Sequence, residues 1–201
     1  VTTDSDIILI DRLLDLRPAA VRNHLYGGEE LLPLSPGVLL PHLGAPLLEV
    51  PAALGAMLEV AFRAAAAADA PLCVGLDAEA GPAEPGPRGL HAAVDRALAA
   101  ARETAFRLPF VLHARLGMVD PEDEASVDAA RIKVLEAVDA GVTSVQLGAF
   151  GEPESAARLL TDVLGPASDN GLGLVVQLAD AHQAETLPAL LGALEVHAFA
   201  T

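Results

Sequence analysis

The sequence predicts an α/β fold of (β/α) barrel-like type, incomplete or open, with parallel strands joined by right-handed helical crossovers. Three observations carry this. Short apolar segments recur at 71–77, 109–115, 142–148, 172–180 and 194–200, each with a polar residue in or just after it. Near-continuous Val and Leu of this kind suit strands buried on both faces of a parallel sheet. Most of these segments are separated by stretches of helical pattern, the alternation that produces right-handed crossovers. The chain is also short: its 201 residues compare with roughly 250 for a closed eight-stranded barrel. It stops at what reads as the end of a strand, so an open or partial barrel, or a fragment of a longer one, is expected.

The elements follow in order. Residues 4–17 open with Ser and Asp side chains suited to N-capping, then carry Ile7, Ile10, Leu13, Leu14 and Leu16 near helical spacing. Pro18 ends this helix or opens a short second one through residue 25, and Gly27-Gly28 breaks the chain. Residues 31–46 hold four prolines, too broken for a helix; one short strand is expected around 37–40, with Pro confined to its ends. This divides the chain into an N-terminal helical segment, 1–36, and a (β/α) barrel-like domain, 37–201. A helix over 51–68 leads into strand 71–77. The stretch 78–89 is acidic and rich in Pro and Gly, a loop and not a linker, because the βα pattern resumes after it. A helix over 88–106 feeds strand 109–115. Asp120-Pro121-Glu122-Asp123 reads as a helix start, with Asp120 as cap and Pro121 at the first position. That helix runs to about residue 140, where Gly141 suits the left-handed position beyond its end. Strand 142–148, a helix over 153–164, strand 172–179, a helix over 183–192 and strand 194–200 complete the pattern.

Composition narrows the function. Net charge is −16, with 28 acids against 12 bases. Such a surface repels phosphate backbones, and no basic patch interleaved with aromatics occurs, which argues against nucleic acid as a partner. Aromatics make up 3% and Trp is absent, so stacking platforms for bases or sugar rings are scarce. No apolar run approaches the roughly 20 residues of a membrane span, and the acidic N-terminus is unlike a secretory signal. A cytoplasmic protein is expected. Cys73 lies inside an apolar strand and reads as a buried structural thiol. The single lysine, Lys133, sits mid-helix between Ile132 and Val134, which excludes Schiff-base chemistry at a strand end.

In βα architectures, ligands and chemistry gather at the carboxyl ends of the strands. There the sequence places Asp77 with Glu79, Arg115, Asp180 and His182. As catalytic candidates, Asp180 and His182 make an acid/base or ligand pair; alternatively Asp180 caps a helix and His182 lies in its first turn. Arg115 either holds a substrate phosphate through its bidentate fork or pairs with Asp77 on the neighbouring strand. His113, Gln146, Gln177 and His197 sit at similar depths in successive strands, where period-2 alternation can turn them to one side. They read either as a ligand-binding layer or as a hydrogen-bonded polar layer inside the core. His24, His42 and His91 share no metal-ligand spacing and read as surface or loop residues.

From about Gly37 onward the order of parts resembles the class II, metal-dependent fructose- and tagatose-bisphosphate aldolases, including the non-catalytic Z-type subunit of the tagatose enzyme. Three stretches carry the resemblance. Ala70-Pro71-Leu72-Cys73-Val74 is similar to that group's SPVIL strand, and Leu112-His113-Ala114-Arg115-Leu116-Gly117 to its LHxDHG motif or DHLG variant. Ala140-Gly141-Val142-Thr143-Ser144-Val145-Gln146-Leu147-Gly148-Ala149-Phe150 is similar to AGFTSVMIDGS or AGFTKIHLDAS. The resemblance implies a zinc site and aldol chemistry on a phosphorylated sugar, but the departures fall on that chemistry. The catalytic Asp and metal-binding His correspond to Arg115 and Leu116, or to Ala114 and Arg115 in the other register. The later Asp-Gly-Ser corresponds to Gly148-Ala149-Phe150. Only His113 survives, and in that motif it is not the metal ligand. A zinc aldolase needs imidazoles converging on the metal, so no cofactor is expected, although zinc is what the resemblance itself would imply.

These readings converge on a degenerate aldolase-like barrel acting as a non-catalytic subunit or scaffold in a protein assembly. Two alternatives stand beside it: a lyase or related enzyme acting on a small phosphorylated sugar through strand-end residues, and a self-assembling structural protein. The expected partner is a second copy of the chain, forming a homo-oligomer, or another protein. The leucine-rich N-terminal segment or the last strand would lie at the interface.

Overall fold

The computed structural model describes residues 12–27, 29–43, 47–77, 89–150 and 153–178. Among these, six strands form one sheet in which every pairing is parallel. They are β1 (Leu32–Pro33), β2 (Leu48–Pro51), β3 (Leu72–Asp77), β4 (Pro109–Val119), β5 (Ser144–Ala149) and β6 (Gly173–Leu178). Residues 12–15 are helical, as the reading of 4–17 expects for this part, and the further helices are α1 (Ala19–Arg22), α2 (Pro36–Leu39), α3 (Met57–Ala67), α4 (Leu90–Glu103), α5 (Glu124–Ala140) and α6 (Pro153–Asp169). Spatial order follows chain order from β2 to β6, and β1 pairs with the first two residues of β4. Helices α3 to α6 pack each on the next.

Alternation along the strands sorts their side chains into two cores. Leu72, Val74 and Leu76 of β3, Phe110, Leu112 and Ala114 of β4, and Val145 and Leu147 of β5 join the helices in the main core. At its centre Phe62, Phe106 and Phe110 meet edge to face, with centroids 4.9 to 6.1 Å apart, the arrangement that aromatic quadrupoles favour. The opposite parity carries Cys73 and Val111, which pack with Leu34 of the N-terminal segment and Leu39 just after it in a second, smaller core. Pro36 lies over the sheet at Gly173, where a Cβ would come within 2.5 Å of the ring. The N-terminal segment thus forms a third layer over the lower part of the face away from the helices. It is also continuous with the rest: Leu31 enters the main core and Leu34 N–H donates to Phe110 O at 2.8 Å.

Several expected elements differ. The strand expected at 37–40 is α2 followed by a 3-10 turn, Leu40–His42; Pro36 stands at the start of α2, where its missing N–H costs nothing. The helix expected over 51–68 begins only at Met57. Pro51 ends β2, and Gly55, at φ 54°, interrupts the chain between a 3-10 turn and α3. Strand 109–115 continues to Val119 through a bulge between Arg115 and Met118, with Gly117 at φ 90°. The cap of α5 is Asp123, which accepts from Ala125 N–H at 3.0 Å; Asp120 instead holds the preceding turn by accepting from Glu122 N–H. Helix 153–164 extends through Pro166 to Asp169 because Ala167 still faces the core. The expected helix 183–192 and strand 194–200 lie outside the described residues. No helix among the described residues is long and apolar enough to cross a membrane.

Candidate functional site

The polar residues of β2 to β5 that face away from the helices form one continuous patch above the second core. Strand register places Asp77 beside Arg115 and Arg115 beside Gln146; one step earlier, Gly75, His113 and Ser144 are level. Arg115 reaches back across Gly75. Its NH2 group lies 2.8 Å from Glu49 Oε1, and its Nε lies 2.9 Å from Asp77 Oδ1. The Nε–H is not aligned with that oxygen, so the second contact is an ion pair without a hydrogen bond. The three side chains are between 36% and 45% exposed, a setting in which each pair contributes about 0–1 kcal/mol.

His113, 8% exposed, uses both ring nitrogens. Nδ1 lies 3.0 Å from Ser144 Oγ and Nε2 lies 3.1 Å from Gln146 Oε1. A neutral imidazole protonated on Nε2 satisfies both, donating to the amide oxygen and accepting from the hydroxyl. Thr143 fixes the start of β5 against β4: its N–H donates to Leu112 O at 3.0 Å and its Oγ1 accepts from Leu112 N–H at 2.9 Å. Burial pushes the Cys73 thiol up to about 12, with Glu49 adding to the shift. It is therefore protonated and unreactive near neutral pH.

Of the nine residues singled out in and just after the strands, Asp77, Arg115, His113 and Gln146 come together. Asp180, His182 and His197 lie outside the described residues, as does Glu79. Gln177 is level with Gly148, one step further along the strands than Gln146. His113, Gln146 and Gln177 therefore climb the sheet strand by strand instead of lying at one depth. Arg115 takes the reading in which it pairs with Asp77. Glu49, the third member of that group, is not among the residues the sequence singles out, and nothing local marks it: Leu48 beside it is itself exposed and the strand ends at Pro51.

A second polar grouping lies on the helix layer, at the end of the molecule where the strands begin. His24 Nε2 is 2.8 Å from Asp139 O, and His91 Nε2 is 2.9 Å from Asp139 Oδ2. They border an open cleft of about 670 Å³ that also touches Arg22 and Asn170. Sequence spacing could not bring together residues from α4, α5 and the turn after α1.

Neither grouping fits zinc. His113 is the one imidazole of the strand-end patch among the described residues, with both nitrogens engaged, and no three His, Cys, Asp or Glu side chains among the described residues converge as ligands. No family model, curated protein or solved structure matches this chain.

Proposed function

We propose that this chain is a degenerate (β/α) barrel-like subunit of aldolase type, which serves as a non-catalytic scaffold in a protein assembly. The observation that carries the reading is the state of Arg115. It stands where the resemblance expects an acid or a metal ligand, and its charge is already met by Glu49 and Asp77. The triad carries a net charge of −1, which repels the phosphate of a bisphosphate sugar. The two partners of His113, Ser144 Oγ and Gln146 Oε1, are both neutral, so neither is a carboxylate that would orient the imidazole as a base. The sequential parallel order of β2 to β6 supports the barrel-like part of the reading.

The test is an aldol-cleavage assay with fructose- and tagatose-1,6-bisphosphate in the presence of added zinc. No turnover above the protein-free rate is expected, and Arg115→Ala should alter thermal stability alone. Zinc-dependent turnover that is lost in both Arg115→Ala and His113→Ala would overturn the proposal in favour of an enzyme.

A further inference from the structure

Helix α3 stands at one end of the helix row and presents a face unlike those of its neighbours. Helices α3 to α6 pack each on the next, so among the described residues α3 has a neighbouring helix of this row on one side alone. The strand before it, β2, is likewise the edge of the sheet. Leu58, Phe62 and Ala65 turn inward. Outward stand Met57, 54% exposed, and Val60, 52% exposed, followed by Ala64 and Ala67, also exposed. These four recur at steps of three, four and three residues, the spacing of a coiled-coil seam. No charge interrupts them. The helix carries only Glu59 and Arg63, which lie one turn apart along one flank of the seam and pair with each other at 3.3 Å. Leu48 of β2, 69% exposed, is level with Leu72 and so lies on the helix-bearing face of the same edge.

Two features make this face complementary to itself. Its bulky residues stand in the first half of the seam and its alanines in the second. An antiparallel pair therefore sets large against small: Met57 against Ala67 of the second copy, Val60 against Ala64, and the reverse. The two-fold axis that does this passes near residue 62 and brings the same flank of both helices together, so Glu59 of each copy faces Arg63 of the other and the ion pairs exchange across the contact. We infer that two copies of this chain associate through antiparallel α3 helices, with Met57 and Val60 as the apolar anchors. Repulsion between chains of net charge −16 is screened beyond about 8 Å at physiological salt, and α3, whose two charges cancel, brings no unpaired acid to the contact. The inference names the partner for the scaffold reading above and rests on that reading for its role.

Sedimentation of the full chain near physiological salt tests this, from about 1 µM to about 300 µM, a range that brackets the affinity of a small interface. A monomer–dimer equilibrium is expected. V60E should weaken it about 100-fold, by removing an anchor and placing an unpaired charge in the seam. I132S, which alters an equally exposed apolar residue on α5, should dimerise as the parent does. Both variants change exposed positions, and unchanged circular dichroism verifies the fold. Orientation is read by cross-linking in a glutathione redox buffer. M57C mixed with A67C should form a disulfide between the copies. M57C alone should not, because its two sulfurs would lie about 15 Å apart along the pair. Cys73 stays out of the exchange, being buried with its thiol pushed up to about 12. A monomer at every concentration would assign the face to another partner and overturn the inference. A dimer indifferent to V60E, one lost instead in I132S, or M57C that cross-links to itself as readily as to A67C would overturn it too. Failure here with no zinc-dependent aldolase activity leaves the scaffold reading standing, whereas such activity with a V60E-sensitive dimer removes that reading and keeps the interface.

Discussion

Gly75 shows how one missing side chain makes the strand-end patch possible. A Cβ there would lie 2.1 Å from Glu49 Oε1 and 2.8 Å from the Arg115 NH2 group, so the ion pair crosses β3 only because nothing projects from it. The obstructed atoms are the ends of flexible, partly exposed side chains, which can swing away. Gly75→Ala should therefore cost only the displaced pairs, about 0.5–1 kcal/mol. In a Glu49→Ala background the cost should fall to about zero, because Ala forms strand at least as well as Gly. Urea midpoints of the two single variants and the double variant close the cycle. An equal penalty in both backgrounds would mean that Gly75 is needed for some other reason. The cycle also marks how far the site was legible in the sequence. Asp77 and Arg115 could be paired in advance because adjacent parallel strands with polar carboxyl ends bring such residues level. Glu49 could not, since its strand is four residues long and flanked by prolines, and what identifies it as a strand is its pairing with β3, a long-range fact.

The helices share a closing device that only the structure reveals. Helices α3 to α6 each end with one residue in a left-handed or positive-φ conformation: Asp69 (φ 49°), Ala105 (48°), Gly141 (81°) and Gly171 (74°). Each following N–H, of Ala70, Phe106, Val142 and Leu172, then donates to the carbonyl of an alanine five positions back, Ala65, Ala101, Ala137 and Ala167. This is the Schellman closure, with an apolar residue beyond it turning the chain into the core. Gly141 was recognisable because glycine advertises a positive φ; Ala105 and Asp69 were not, because their side chains argue for the opposite. That difference predicts opposite responses. Ala105→Gly relieves a left-handed alanine and should stabilise the fold by about 0.5–1 kcal/mol after the extra entropy of glycine is counted. Gly141→Ala should destabilise it by about 2 kcal/mol, since the new Cβ would also meet His24 Cδ2 at 2.4 Å. Equilibrium unfolding distinguishes the two, and shifts of the same sign would remove the explanation. The same contrast explains which elements the sequence disclosed. Strands β3 to β6 and helices α4 to α6 follow from periodicity, whereas β1, β2 and α2 depend on neighbours more than on their own residues.

In the molecule as a whole, the N-terminal segment is held to the sheet and its helices by polar contacts as well as by its leucines. Arg102 of α4 pairs with Glu29, donates to His24 O at 3.1 Å and lies 4.6 Å from the centre of the Tyr26 ring. Arg17 adds a bond to Glu29 O at 3.1 Å. Glu29 and Arg102 are 16% and 27% exposed, far less than the strand-end triad, so solvent screens this pair less. The hydrogen bond from Arg102 is the largest influence on Glu29 and holds its carboxyl below the usual 4.5, against an opposing push from burial; the same contact raises Arg102. A folded-state value below the unfolded one means that the unfolded chain binds the proton more tightly. The contribution of Glu29 is therefore fully present above about pH 5 and is lost as pH falls through its lowered folded value. Glu29→Gln should lower the melting midpoint at pH 7 and flatten its decline between about pH 5 and pH 3. Hydrogen exchange at Leu34, whose N–H bonds β4 at Phe110 O, reads the detachment of the segment directly and should quicken in the variant at pH 7. An acid limb of unchanged steepness in Glu29→Gln would place the acid sensitivity in other carboxylates. Unchanged exchange at Leu34 would show that the leucines alone hold the third layer in place.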